Sequence, residues 1–201
     1  MMKMGTVIVL FLACSTLGAQ EQTITTGMDL NYAMGLYLDF SADNTFTSIV
    51  HYGGFGAFID TTYIRLTVDY SFFFAGTSID DSGSHEMKDT SIDFLNFYLL
   101  GKYPFSVGDI AIWPSLGIGF TYCINFHIPP GGSEDIDETS FDDLHLLAGL
   151  GMDFKVNTLY ISPYFTFSFN LMPQMQHNPP PGLHSYNLGF LLGVSIGYAL
   201  K

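Results

Sequence analysis

Positive charge is the scarcest feature of this chain. Six lysines and arginines stand against 19 aspartates and glutamates in 201 residues, a formal net charge of −13. A protein this acidic repels phosphate backbones, which excludes nucleic acid as a partner. Charge of either sign is also sparse: 12% of the residues are Asp, Glu, Lys or Arg, about half the ~25% usual in soluble domains. Cysteine is nearly absent, with Cys14 and Cys123 alone. A long apolar run is missing too. The longest, Val7–Cys14, is far short of the ~20 residues a spanning helix needs. Yet 48% of the chain is hydrophobic and 16% aromatic. High hydrophobicity without a spanning helix points to a membrane β-barrel.

The first twenty residues, MMKMGTVIVLFLACSTLGAQ, carry Lys3, an apolar stretch and small residues up to Ala19. That is the pattern of a secretory leader, with cleavage expected between Ala19 and Gln20. The competing reading makes Cys14 the lipidated residue of a lipoprotein signal. With residues 1–19 removed, residues 20–201 form one barrel domain, net charge moves to −14, and Cys123 is left without a disulfide partner. An unpaired thiol in an oxidising compartment is expected to be buried.

The segment YIRLTVDYSFFF, residues 63–74, is crowded with strand formers. Alternation puts Ile64, Leu66, Val68, Tyr70, Phe72 and Phe74 on one face. Arg65, Thr67, Asp69, Ser71 and Phe73 take the other. Arg65 and Asp69 share a face but lie about 13 Å apart on a strand, too far to pair directly. Seven further segments alternate in the same way: 28–40, 47–60, 91–103, 110–125, 143–155, 158–171 and 185–200. Each is long enough to cross a bilayer, which takes about 9–11 tilted residues. Connections near 61, 104–109 and 156–157 are short, whereas 77–90, 126–142 and 172–184 are long and polar or Pro/Gly-rich. Short turns on one side and long loops on the other predict an all-β fold: an eight-stranded antiparallel up-and-down transmembrane barrel. Such a barrel belongs in a bacterial outer membrane, with extracellular long loops and periplasmic termini.

A soluble eight-stranded barrel would also alternate, but its polar face would be rich in Lys and Glu. Here the polar set is Gly, Ser, Thr, Asn and Tyr, the composition of a narrow lumen. The large apolar set then meets lipid, where every backbone group must be paired and the sheet must close. Outward Phe40, Tyr103, Phe126, Tyr186 and Tyr198 are expected in the interfacial girdles. By the same parity Arg65, Asp69, Lys102 and Asp153 point inward, and an interior ion-pair network of these four is predicted. The leading reading is a structural plug of mutually neutralising charges; the sharper one is a gate on a small conduit. Tyr37, Trp113, His145, Tyr160 and Tyr164 are expected as lumen fillers, and Phe73 by the same parity. Gly35, Gly117, Gly119, Gly149, Gly151, Gly189, Gly193 and Gly197 are read as leaving room for a solute.

The segments PSLGIGFTY (114–122) and GFLLGVSIGYAL (189–200) are similar to the small-residue strands of eight-stranded outer-membrane proteins. The pattern over most of the chain resembles the OmpW-like family, within the wider OmpA/OmpX-type barrel class. That resemblance implies passage of small hydrophobic solutes through a lumen opening near the outer leaflet. It also implies the lipid of the outer membrane and, during biogenesis, the barrel-assembly machinery as partners. The ending Tyr198-Ala199-Leu200-Lys201 departs from the terminal aromatic residue that this machinery recognises.

Other chemistry finds less support. His184 and Ser185 are adjacent, so on a strand they face opposite ways, and no third group completes a triad. No enzymatic activity is expected. The acidic run 133–143 could offer Asp135, Asp137 and Glu138 to calcium but lacks the glycine and spacing of an EF-hand loop. No metal or cofactor is expected. Two functions follow: a narrow channel for passive transport of small hydrophobic solutes, or a non-conducting surface barrel acting in adhesion or partner contact through its outer loops.

Overall fold

The structure is a computed structural model that describes residues 23–40, 45–80, 83–87, 90–108, 110–127, 143–171 and 184–200. The leader with Cys14, residues 133–142 of the acidic run with Asp135, Asp137 and Glu138, and residues 179–181 lie outside the described residues. Ten strands follow in order: β1 Ile24–Phe40, β2 Thr45–Asp60, β3 Ile64–Asp80, β4 Gly83–Glu86, β5 Ser91–Lys102, β6 Phe105–Val107, β7 Ile110–His127, β8 Asp143–Val156, β9 Leu159–Asn170 and β10 His184–Leu200. Eight of them close into one antiparallel barrel, each pairing with its neighbours and β10 returning to β1. The short β4 extends the upper end of β3, and β6 pairs with the foot of β7.

The pairing is staggered. From Thr25 it passes to Asp60, Arg65, Leu100, Gly117, Leu147, Ser168 and Gly189, and returns to β1 at Gly35, ten residues further along. Such a stagger goes with strands tilted by roughly 35–45° and a bore just wide enough for side chains. The end that holds Ile24 and Leu200, with the short connections, is termed the turn end, and the opposite one the loop end. At the turn end Thr61 caps its own turn, its Oγ1 accepting from the Ile64 amide at 3.0 Å. Asn157, at φ 60°, occupies the left-handed position of the β8–β9 hairpin.

The faces follow the predicted alternation. Met28, Leu30 and Leu116 are 60% or more exposed and belong to a belt of outward apolar side chains on all eight strands. Tyr103 and Tyr198 are outward and exposed near the turn end, as expected of a girdle; the side chains of Phe40, Phe126 and Tyr186 lie outside the described residues. Cys123 is buried, as expected. It packs with Val50, Tyr52, Ile92 and Phe94 inside the loop half of the bore.

Two bulges correct the simple alternation. Tyr52 pairs with Phe73 and His51 with Ala75, so Phe74 is an extra residue and β3 runs on to Asp80 in shifted phase. Asp93 pairs with Asn125 but Phe94 with Cys123, leaving Ile124 as the extra residue. Asn125, which strict alternation places inside, therefore turns outward, where its Nδ2 donates to Asp93 Oδ2 at 3.0 Å.

Candidate functional site: the barrel interior

The bore is divided by a packed layer in its turn-end half. Cross-strand register builds it. Asp60 lies opposite Arg65, and Asp29 lies opposite Ser195. Arg65 Nη2 is 3.2 Å from Asp29 Oδ1, and Nη1 is 3.8 Å from Asp60 Oδ2. Lys102 Nζ is 2.7 Å from that same Asp60 oxygen and 3.8 Å from Asp153 Oδ2. Asp153 accepts from Trp113 Nε1 at 2.8 Å. Ser195 and Tyr164 donate their hydroxyls to Asp29, and Arg65 Nη2 also donates to Ser195 Oγ. The guanidinium sits 4.3 Å over the Phe58 ring, and Lys102 Nζ 5.1 Å over Trp113. Each cation thus has a carboxylate and an aromatic face, which offsets the cost of removing it from water.

Three of the four predicted network residues, Arg65, Lys102 and Asp153, are brought together. The links between them are Asp29 and Asp60, which the strand reading passed over. Both share the inward parity of their strands, Asp29 with Asn31 and Asp60 with Phe58, so parity extended to the strand ends would have found them. Asp69 is a correction: it makes no ion pair with Arg65 among the described residues. It lies further toward the loop end, where neutral donors hold it: Asn96 Nδ2 at 2.6 Å, Asn31 Nδ2 at 3.1 Å and Ser71 Oγ at 3.2 Å. Arg65 instead reaches across to Asp29 and toward the turn end, because the spacing from Arg65 to Asp69 on one strand is too long for direct contact.

The lumen glycines also read differently in three dimensions. Gly151 lies opposite Trp113, Gly193 opposite Tyr164, and Gly119 opposite Tyr98. A Cβ at each of these glycines would run into the ring it faces. At these three positions the missing side chain admits the facing aromatic ring and leaves no room for a solute.

On the loop side of the layer lies a cavity of about 100 Å³. It runs from Arg65 and Trp113 up to Asp143 and Asn187, walled by Tyr37, Tyr52, Phe94, Tyr98, His145 and Tyr164. On the turn side a vestibule of about 380 Å³ is lined by Phe58, Asp60, Lys102, Asp153 and Tyr160. Among the predicted fillers, Tyr37, Trp113, His145 and Tyr164 line the cavity. Tyr160 lines the vestibule, with Lys155 Nζ 5.8 Å over its ring. Between the two spaces Arg65, Trp113, Asp29 and Ser195 are each at most 2% exposed. Asp143, at the first residue of β8, accepts from Asn170 Nδ2 at 2.6 Å and Asn187 Nδ2 at 3.3 Å.

A closed antiparallel barrel with an apolar outside and a polar, charge-bearing inside is the architecture of a small outer-membrane barrel. No protein family and no curated protein matches the chain. Among solved structures, Neisserial surface protein A is similar at 9% identity and a TM-score of 0.49, covering 88% of this chain and 99% of its own. The outer membrane protease OmpT of Escherichia coli follows at 7% identity and 0.42, covering 89% and 97%. Ail, the attachment invasion locus protein of Yersinia pestis, stands at 10% and 0.22, covering 87% and 98%. At these identities and scores the architecture rests on the barrel's own geometry, and no function transfers.

Proposed function

We propose that this chain is a bacterial outer-membrane barrel closed within its turn-end half, acting as a non-conducting surface barrel through its loop end. The observation that carries this reading is the layer between the cavity and the vestibule, where Asp29, Arg65, Ser195 and Trp113 are each at most 2% exposed and the half-buried Tyr164 donates to Asp29. An ion pair inside the bore resists displacement, because pulling Arg65 away would leave Asp29 buried without its cation. The short turns are placed in the periplasm and the long connections outside the cell. Outer-membrane lipid covers the apolar belt, and the assembly machinery inserts the barrel. This reading includes no catalytic step.

The second reading is a narrow, OmpW-like conduit for small hydrophobic solutes. One observation favours it: Arg65 and Trp113 in the cavity wall directly contact Asp60 and Asp153 in the vestibule wall. Flux into liposomes carrying the refolded protein separates the two. The closed reading expects uptake of apolar and polar solutes no faster than in empty liposomes. Uptake by wild type that selects apolar solutes and changes in Arg65→Ala would replace it with the conduit.

A further inference from the structure

We propose that the outer wall of the barrel over β3 is a contact surface for a second copy of this chain, related by a two-fold axis along the bilayer normal. The proposal rests on the membrane barrel itself and on neither reading of the bore.

Two polar side chains interrupt the apolar belt toward the loop end. His51 of β2 stands between the buried Val50 and Tyr52, so its ring points outward. The Tyr32 hydroxyl lies 2.6 Å from its Nδ1. That hydroxyl has one proton and no other hydrogen-bond partner among the described residues, so it donates, and the neutral ring carries its proton on Nε2. Nε2 has no hydrogen-bond partner among the described residues. Asp93 of β5 stands between the buried Ile92 and Phe94 and also points outward. It accepts from Asn125 Nδ2 at 3.0 Å and from the Tyr70 hydroxyl, which leaves acceptor capacity on the carboxylate. Lipid tails supply a partner to neither group, and an ionisable side chain in a membrane-spanning segment marks a site of function.

Register sets the two groups at one height. Ten residues of stagger over eight strands shift equal depth by a little over one residue per strand. His51 lies opposite Ala75, and Asp93 opposite Phe72, on the two sides of β3. With Phe74 bulged out these partners are two pairing steps apart, close to what two strands of stagger require. His51 and Asp93 therefore flank β3 at the same depth, two strand spacings or roughly 10 Å apart. Between them the wall is aromatic. Phe72 and Phe74 are 40% and 54% exposed. Phe74 leans on Tyr32 and His51, with ring centroids 6.1 Å from each. Phe72 lies over Gly53, where a Cβ would meet its ring at 2.9 Å.

Complementarity selects the occupant. A two-fold axis beside Phe72 lays each His51 Nε2–H against the partner's Asp93, and the two Phe72 rings meet at the axis. The same pair is made twice, as an isologous contact requires. An anionic headgroup fits less well. Arg65, Lys102 and Lys155 stand in the bore or at its turn end, so among the described residues the patch offers it His51 alone beside a repelling Asp93.

The test is made in liposomes. Two labelled populations of the wild-type protein are expected to show energy transfer above that of random encounter. A chain with His51→Cys and one with Asp93→Cys, reconstituted together and oxidised, are expected to give a disulfide-linked dimer that neither gives alone. His51→Asp and Asp93→His are each expected to weaken dimerisation at least ~tenfold, and the exchange variant carrying both to restore it. Folding of each variant is checked by the gel-mobility difference between heated and unheated samples. Wild-type transfer at the level of random encounter overturns the dimer whatever the variants do, and if His51→Ala then loses anionic lipid that wild type retains, the patch belongs to headgroups. Equal linking by the single cysteine chains, or a folded exchange variant that stays monomeric, overturns the pairing of His51 with Asp93.

Discussion

Asp29 and Asp69 are both enclosed in the bore, at 0% and 1% exposure, yet their charges are met in opposite ways. Asp29 has a guanidinium at 3.2 Å and two hydroxyl donors. Asp69 has two side-chain amides and a serine, all neutral. The first arrangement is an ion pair, strong while intact and costly when one partner is removed. The second is a solvation shell made of protein, in which each donor contributes a modest share. The turn-end half of the bore is thereby locked by mutual charge, whereas the loop-end half holds Asp69 among neutral donors, two of which line the cavity.

The largest expected effect comes from breaking the lock. Arg65→Ala should lower stability by about 3–5 kcal/mol, because it leaves Asp29 buried without its cation, whereas Asp60 keeps Lys102; urea unfolding in detergent or vesicles measures this. Adding Asp29→Ala to Arg65→Ala should recover part of the loss, and a double variant less stable than Arg65→Ala alone would refute the pairing as the source of the cost. Next comes the aromatic packing that supports the lock. Gly193→Ala should cost about 1–3 kcal/mol by forcing a methyl group into the Tyr164 ring, and an unchanged unfolding midpoint would show that the ring yields freely. Asp69→Asn should cost less than Arg65→Ala, about 1–2 kcal/mol, since it disturbs hydrogen bonds without stranding a cation. A loss as large as that of Arg65→Ala would erase the contrast between the two carboxylates. Smallest is Trp113→Phe, expected at about 1 kcal/mol for the lost bond to Asp153 with much of the ring retained.

Much of this could be read along the chain. In β7, Ile112, Leu116, Ile118 and Phe120 alternate with Trp113, Ser115, Gly117 and Gly119, and the outward and inward sets came out as the alternation required. Where one face meets lipid and the other a crowded bore, a shift by one residue would invert every side chain, so the pattern is strongly constrained. The inward direction of Arg65, Lys102 and Asp153 followed from parity alone. Parity does not say which inward residues meet. Asp29 and Asp60 became partners of Arg65 through the pairing of β1, β2 and β3. Asn125 left the bore because a bulge absorbed Ile124.

The sequence by itself determined the all-β class, the eight crossings, the two faces of each strand and the absence of a long apolar helix. These depend on residue type and a period of two, which are local properties. Only the tertiary structure decided that Gly119, Gly151 and Gly193 seat aromatic rings, that Asp69 stands apart from the charge network, and that the loop half of the bore holds a cavity lined by His145. Those depend on the ten-residue stagger with which the barrel closes, which brings together side chains from strands far apart in the chain.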